Sequence, residues 1–245
     1  MFLWGIQLPP GSGFAPFGIY HLAWLLLSVL ACVWPIGRAW SREKQQQVAK
    51  WSTVWMGASE LLRLAILAKL GQLSVHVLPL HLCGLAVWLC LLHAWSGADW
   101  LGQILYILCL PGAAAALLFP DWTAYPPWNY FCVHSFVIHS AVVCYVVRQT
   151  KNGIIVPKMR GIGQSAAFLC VLVPPMLVFN RTFDTNYLFL CAAPDGTPLV
   201  LLWQWLGANG YLFGYATVIF LLMTGMLALY RRIWSNLCKK RTKNS

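Results

Sequence analysis

Charge is what this sequence has least of. Only 9% of its 245 residues are charged and 60% are hydrophobic, whereas a water-soluble domain carries about 25% charged residues. An ordinary soluble domain is thereby excluded. Also missing is any CxxC pair among the nine cysteines, which argues against a zinc or disulfide framework. Cys32, Cys83, Cys90, Cys109, Cys132, Cys144 and Cys170 instead lie in apolar stretches, and most of them are expected to be small, soft packing residues. The opening residues, MFLWGIQLPPGSG, hold no basic stretch before the first apolar run, so a cleaved signal peptide is not expected. No internal repeat is evident.

What the chain has in abundance is apolar runs of roughly 20 residues, the length that crosses a hydrocarbon core about 30 Å thick. Seven are expected to span, at 17–36, 51–70, 77–96, 101–120, 129–148, 161–180 and 209–230. Short connections leave no room for a second domain. The expected fold is all-α, a polytopic membrane helical bundle forming a single domain over 1–245. The net charge of +11 raises the question of nucleic acid, and the placement of the charges answers it. Arg38, Arg42, Lys44 and Lys50 follow the first span; Arg148, Lys151, Lys158 and Arg160 follow the fifth; Arg231, Arg232, Lys239, Lys240, Arg241 and Lys243 follow the seventh. These hold 14 of the 17 basic residues. By the positive-inside rule they are cytoplasmic and the N-terminus is outside. The basic tail, 231–245, is therefore expected to meet anionic lipid headgroups rather than nucleic acid.

Several features point to an internal polar site. Pro111 permits a kink in the fourth span, and Gly112 with Ala116 gives the small-xxx-small spacing for close helix approach. Pro174 and Pro175 free backbone carbonyls in the sixth, which makes a cavity plausible. In the long outer loop, 181–208, "TPLVLLWQWLG" reads as a short interfacial helix, and Asn180-Arg181-Thr182 matches a glycosylation sequon of low specificity.

Glu60 and Arg63 are the formal charges deep within a span. Their i,i+3 spacing lets them neutralise one another, and intramembrane charges are also functional candidates by default. On a helix His81 and Cys83 lie about 200° apart; lipid exposure costs an imidazole more than a thiol, so His81 is assigned to the bundle interior and Cys83 to packing. In the fifth span Cys132, Ser135 and His139 form a polar stripe, with His134 about 140° away from His139. Glu60, Arg63, His81 and His139 all reach the outer half of one pocket, which His21, His93 and Cys144 do not join. A histidine with a carboxylate suits general acid–base work on an acyl group. The i,i+4 double-histidine spacing of a helical zinc motif is lacking, so neither metal nor cofactor is expected.

"LPLHLC" at 78–83, "LLFPDW" at 117–122, "HSFVIH" at 134–139 and "TNYLFL" at 185–190 occur in this order. Together they resemble the YwaF-like integral membrane family of bacteria, over most of the chain from the second span to the seventh. That family is related to the animal ether-phospholipid acyltransferase, transmembrane protein 164, and more distantly to hydrolases of fatty acid esters of hydroxy fatty acids. The resemblance implies a bacterial cytoplasmic membrane protein, and it matches His139 to a histidine of acyl chemistry. The animal enzyme carries a cysteine directly before the histidine that matches His81; here that position is Leu80, so the nucleophile does not carry over, and Cys83 stands in only if it faces the pocket. Asn186 matches a polar loop position and is a candidate oxyanion donor. The leading expectation is acyl transfer or ester hydrolysis on a lipid, with His139 as acid–base and His81 as second proton carrier or oxyanion stabiliser. Glu60, paired to Arg63, would orient one histidine. A small-solute transporter or lipid-binding protein using the same pocket is the alternative, and an assembly subunit without pocket chemistry a third reading.

Overall fold

A computed structural model describes residues 11–36 and 41–243, with side chains described over 11–33 and 41–233. Arg38 and the tail cations Lys239, Lys240, Arg241 and Lys243 lie outside these side chains. The described residues form seven helices and no strand: α1 (Ile19–Ile36), α2 (Arg42–Lys69), α3 (Leu82–Ser96), α4 (Asp99–Leu118), α5 (Tyr130–Lys151), α6 (Arg160–Phe183) and α7 (Leu199–Lys243). Helices α4 to α7 are long and apolar enough to cross a membrane, while α1 and α3 contribute shorter apolar stretches. Helix α2 has the length, at 28 residues, but Glu60 and Arg63 dilute its apolar character.

The helix ends follow from local chemistry. Ser41 accepts a hydrogen bond from the Lys44 N–H at the start of α2, and Asn129 accepts from the Phe131 N–H at the start of α5, each satisfying a donor left over by the first turn. Gly207 (φ 63°, ψ 179°) breaks α7 in a conformation open to glycine. The break separates Leu199–Leu206 as a short apolar helix, where "TPLVLLWQWLG" led one to expect it.

Helix α5 sits at the centre and packs against α1, α2, α3 and α4. Beside it, the middle of α4 is a π-helical turn, Leu105–Cys109, all five residues of which are buried. Pro111 follows at once; its ring cannot fit against the carbonyl four residues back, and a widened turn relieves that clash. Helices α6 and α7 are peripheral, with only 11% of their apolar stretches buried. Pro174 and Pro175 are accommodated inside a continuous α6.

Three expectations change in the folded chain. The third helix begins at Leu82, not at residue 77, and His81 is its N-cap (φ −67°, ψ 155°). Pro79 disfavours helical backbone at Leu78, and side chains from elsewhere hold the segment in its irregular course. The Tyr187 hydroxyl donates to the Val75 carbonyl (2.6 Å) and accepts from the Leu78 N–H (3.0 Å), and Arg63 donates to the Val77 carbonyl (3.0 Å). A helical wheel therefore says nothing about His81 relative to Cys83. Secondly, Cys32 and Cys144 are joined in a disulfide between α1 and α5 rather than packing as free thiols. Thirdly, Asn180 of the sequon is buried in α6, where its amide donates to the Tyr187 carbonyl and accepts from Thr185 and the Tyr187 N–H. A glycan cannot attach to a side chain so enclosed.

Candidate functional site

His139 lies in the middle of α5, one turn beyond Ser135. Its Nδ1 is 2.6 Å from the Ser135 carbonyl oxygen. A carbonyl only accepts, so Nδ1 carries the proton and, in the neutral ring, Nε2 holds the lone pair. The ring stacks on Trp122 with centroids 4.9 Å apart and planes 27° apart, which fixes its orientation. Ser135 and His139 are partly accessible, while Phe136, Ile138 and Ser140 beside them are buried.

Trp122 brings its neighbour Asp121 to the same place. Asp121, in the turn after α4, lies within electrostatic reach of His139, which also senses Glu60 and His81. Asp121 keeps an exposed surface, with neighbouring protein desolvating part of its carboxyl. That desolvation raises its pKa above the usual carboxylate value, and His139 opposes the rise. Cys83 is a free, half-buried thiol in the first turn of α3 whose environment includes the Asp121 charge. His81, one residue before that helix, packs its ring against Tyr187 and Phe189, each at 4.9 Å.

Glu60 forms a second polar cluster. Arg63 donates twice to its Oε1, from Nε at 2.9 Å and from Nη2 at 2.6 Å. Its Oε2 is 3.7 Å from Nε2 of His134. His134 is 8% exposed, and its Nε2 has no hydrogen-bond partner among the described residues. Among those residues no three His, Cys, Asp or Glu side chains converge as metal ligands.

The family is decided by a model of the TMEM164 family that matches residues 16–227. The chain belongs to the TMEM164 family. No curated protein and no solved structure matches it. Together with the apolar helices, the family makes this an integral membrane protein.

Within this TMEM164-family chain the residues singled out in the sequence centre on His139: Ser135 holds its Nδ1–H, and Asp121, Glu60 and His81 lie within its electrostatic reach. Cys83 senses Asp121, and Glu60 with Arg63 also attends His134. Asn186 stands apart from these: its amide donates to the Ala192 carbonyl (2.9 Å), and its oxygen accepts from the Cys191 and Ala192 N–H groups. It shapes the loop that presents Tyr187 and Phe189, the latter held at a positive φ of 55°. His21 and His93 lie elsewhere. Nδ1 of His21 accepts from the Phe17 N–H and its Nε2–H donates to the Leu117 carbonyl, while His93 meets the Tyr145 hydroxyl at 2.8 Å. Sequence reasoning passed over Asp121 and placed His134 apart. A signal existed for each: Asp121 is one of only six acidic residues in the chain, and a buried Glu60 needs more than one partner.

Proposed function

We propose that this TMEM164-family protein transfers or hydrolyses the acyl group of a membrane lipid ester, with His139 as general base. One observation carries the reading: the Nδ1–H of His139 is committed to the Ser135 carbonyl, which leaves Nε2 as the basic nitrogen of an accessible, rigidly stacked imidazole. Leu80 occupies the position where the resemblance leads one to look for a cysteine nucleophile. The attacking group is accordingly a lipid hydroxyl or water, whose proton His139 takes. His81, packed against Tyr187 and Phe189, serves as the second imidazole. The Glu60–Arg63 pair holds α2 and the 75–78 segment in place and orients His134.

The three basic segments face the cytoplasm and the tail contacts anionic headgroups, which puts the His139 site on the side of the outer leaflet. The motif order favours a YwaF-like bacterial member and the bacterial cytoplasmic membrane. The test is mass spectrometry of lipids that copurify with the protein and are then incubated in detergent. Time-dependent loss of an acyl chain that His139→Ala abolishes, with the circular dichroism spectrum retained, is the expected result. An unchanged bound lipid would instead favour carriage without chemistry.

A further inference from the structure

Lys50 and Trp95 take no part in the chemistry above, and they meet at the opposite end of α3 from His81. Helices α2 and α3 pack closely at Gly57, where a Cβ would stand 3.5 Å from the Trp88 ring and 4.0 Å from Leu91 Cδ2. Toward the start of α2 they leave a groove of about 550 Å³, lined by Val54, Leu91, Leu92, Trp95 and Ser96. Its wall is apolar apart from Ser96, whose hydroxyl donates to the Leu92 carbonyl at 2.6 Å and accepts from the Ala98 N–H. Leu92 and Trp95 are 56% and 61% exposed, so the groove opens outward. At its edge Lys50 Nζ lies over the Trp95 ring, 4.9 Å from the centroid, within the ~6 Å reach of a cation–π contact. Among the described residues Lys50 forms no ion pair. The C-terminus of α3 beside it carries only about half a negative charge. Asp99, in the turn that follows α3, is already taken by Lys158 (2.7 Å) and Arg160 (2.8 Å). Trp51 and Trp100 are exposed at the same end, as aromatic residues are at a headgroup boundary.

We propose that this groove binds an anionic phospholipid, with the upper part of one acyl chain between α2 and α3 and the phosphate on Lys50. The two halves of such a lipid match the two halves of the site. From Lys50 to Gly57 is about 10 Å along α2, which takes the carbons nearest the glycerol, and Trp88 against Gly57 closes the inner end. The volume falls within the roughly 300–1,000 Å³ of a ligand cleft. Because the Trp95 ring already holds the ammonium at the edge of the groove, less side-chain freedom is lost when a phosphate arrives. A zwitterionic headgroup carries its own cation and gains little from Lys50, whereas a headgroup with net negative charge gains the full attraction. A second copy of the chain seated here by two-fold symmetry would bring Lys50 toward Lys50, like charge against like. The observations thus favour lipid over self-association. The site lies apart from the acyl chemistry proposed above, and its test involves no turnover.

The experiment uses the full-length protein in phosphatidylcholine nanodiscs that carry a trace of photoactivatable lipid. The probe is phosphatidylglycerol or the matched phosphatidylcholine, each with a diazirine on the acyl chain close to the glycerol. Labelled residues are mapped by mass spectrometry. Phosphatidylglycerol should label Val54, Leu91 and Leu92 about fivefold more than phosphatidylcholine does, the preference that one cation gives an anionic headgroup. Raised salt should reduce that ratio. Lys50→Gln should bring the two lipids to equal labelling, and Lys50→Arg should keep the preference. Val54→Trp, which fills the groove, should remove the label from Leu91 and Leu92. Equal labelling by both lipids in the wild type would mean ordinary boundary lipid and overturn the proposal. So would a preference that survives Lys50→Gln, or a groove that neither lipid labels, as when a second copy of the chain covers it. The wild-type ratio and its salt dependence decide the matter even if a variant does not fold.

Discussion

The Glu60–Arg63 pair offers a stability test that needs no knowledge of a substrate. Glu60 is 4% exposed, and both guanidinium contacts fall on one of its oxygens, at 2.9 and 2.6 Å. Removing one partner of a buried ion pair costs about 3–5 kcal/mol, because the other charge is left without compensation. Two features lower that figure here: the Arg63 side chain is 17% exposed, and it keeps its bond to the Val77 carbonyl when Glu60 is changed. Glu60→Gln should therefore cost about 3 kcal/mol. Arg63→Met loses the Val77 bond as well and should cost about 4 kcal/mol. The double variant, with no stranded charge, should cost about 5 kcal/mol, which corresponds to a coupling of about 2 kcal/mol. Reversible unfolding in mixed micelles, followed by the fluorescence of the 14 tryptophans, measures all three. A coupling within about 0.5 kcal/mol of zero is what exposed surface pairs give, and it would refute the buried-pair argument.

Two further outcomes follow from the packing and from Asp121. Gly161 begins α6 against α4, where a Cβ would come within 2.6 Å of both Gln103 Oε1 and Ile107 Cδ1; Gln103 is held by bonds to Val156 and Lys158 and Ile107 is fully buried. Gly161→Ala should cost about 1–3 kcal/mol, and an unaltered unfolding midpoint would contradict that packing. For Asp121, the raised folded pKa means that its contribution to stability is full below the unfolded value and is lost as pH rises through the folded one. Asp121→Asn should thus melt higher than the wild type at neutral pH, and the gain should vanish below about pH 4. Melting curves recorded at both pH values check this, and a gain that persists in acid would go against it.

Period and composition were enough to indicate an all-helical membrane chain, because apolar runs of membrane length do not depend on how the helices pack. The turn chemistry of Gly207 and the capping of α2 and α5 by Ser41 and Asn129 are likewise local, since each depends on residues a few positions away. The pairing of Glu60 with Arg63 was also within reach, because i,i+3 neighbours on a helix meet in any tertiary context. What the sequence left open depended on contacts between distant segments. Pro79 was a local signal that helix would not extend through Leu78, but what holds residues 75–78, the Tyr187 hydroxyl and the Arg63 guanidinium, comes from distant segments. That Glu60 attends His134, and that Trp122 stacks on His139, was decided by the packing of α2 and of the post-α4 turn against α5. A side chain's position around its own helix is a matter of local geometry, but what stands opposite it is settled only when the helices have packed.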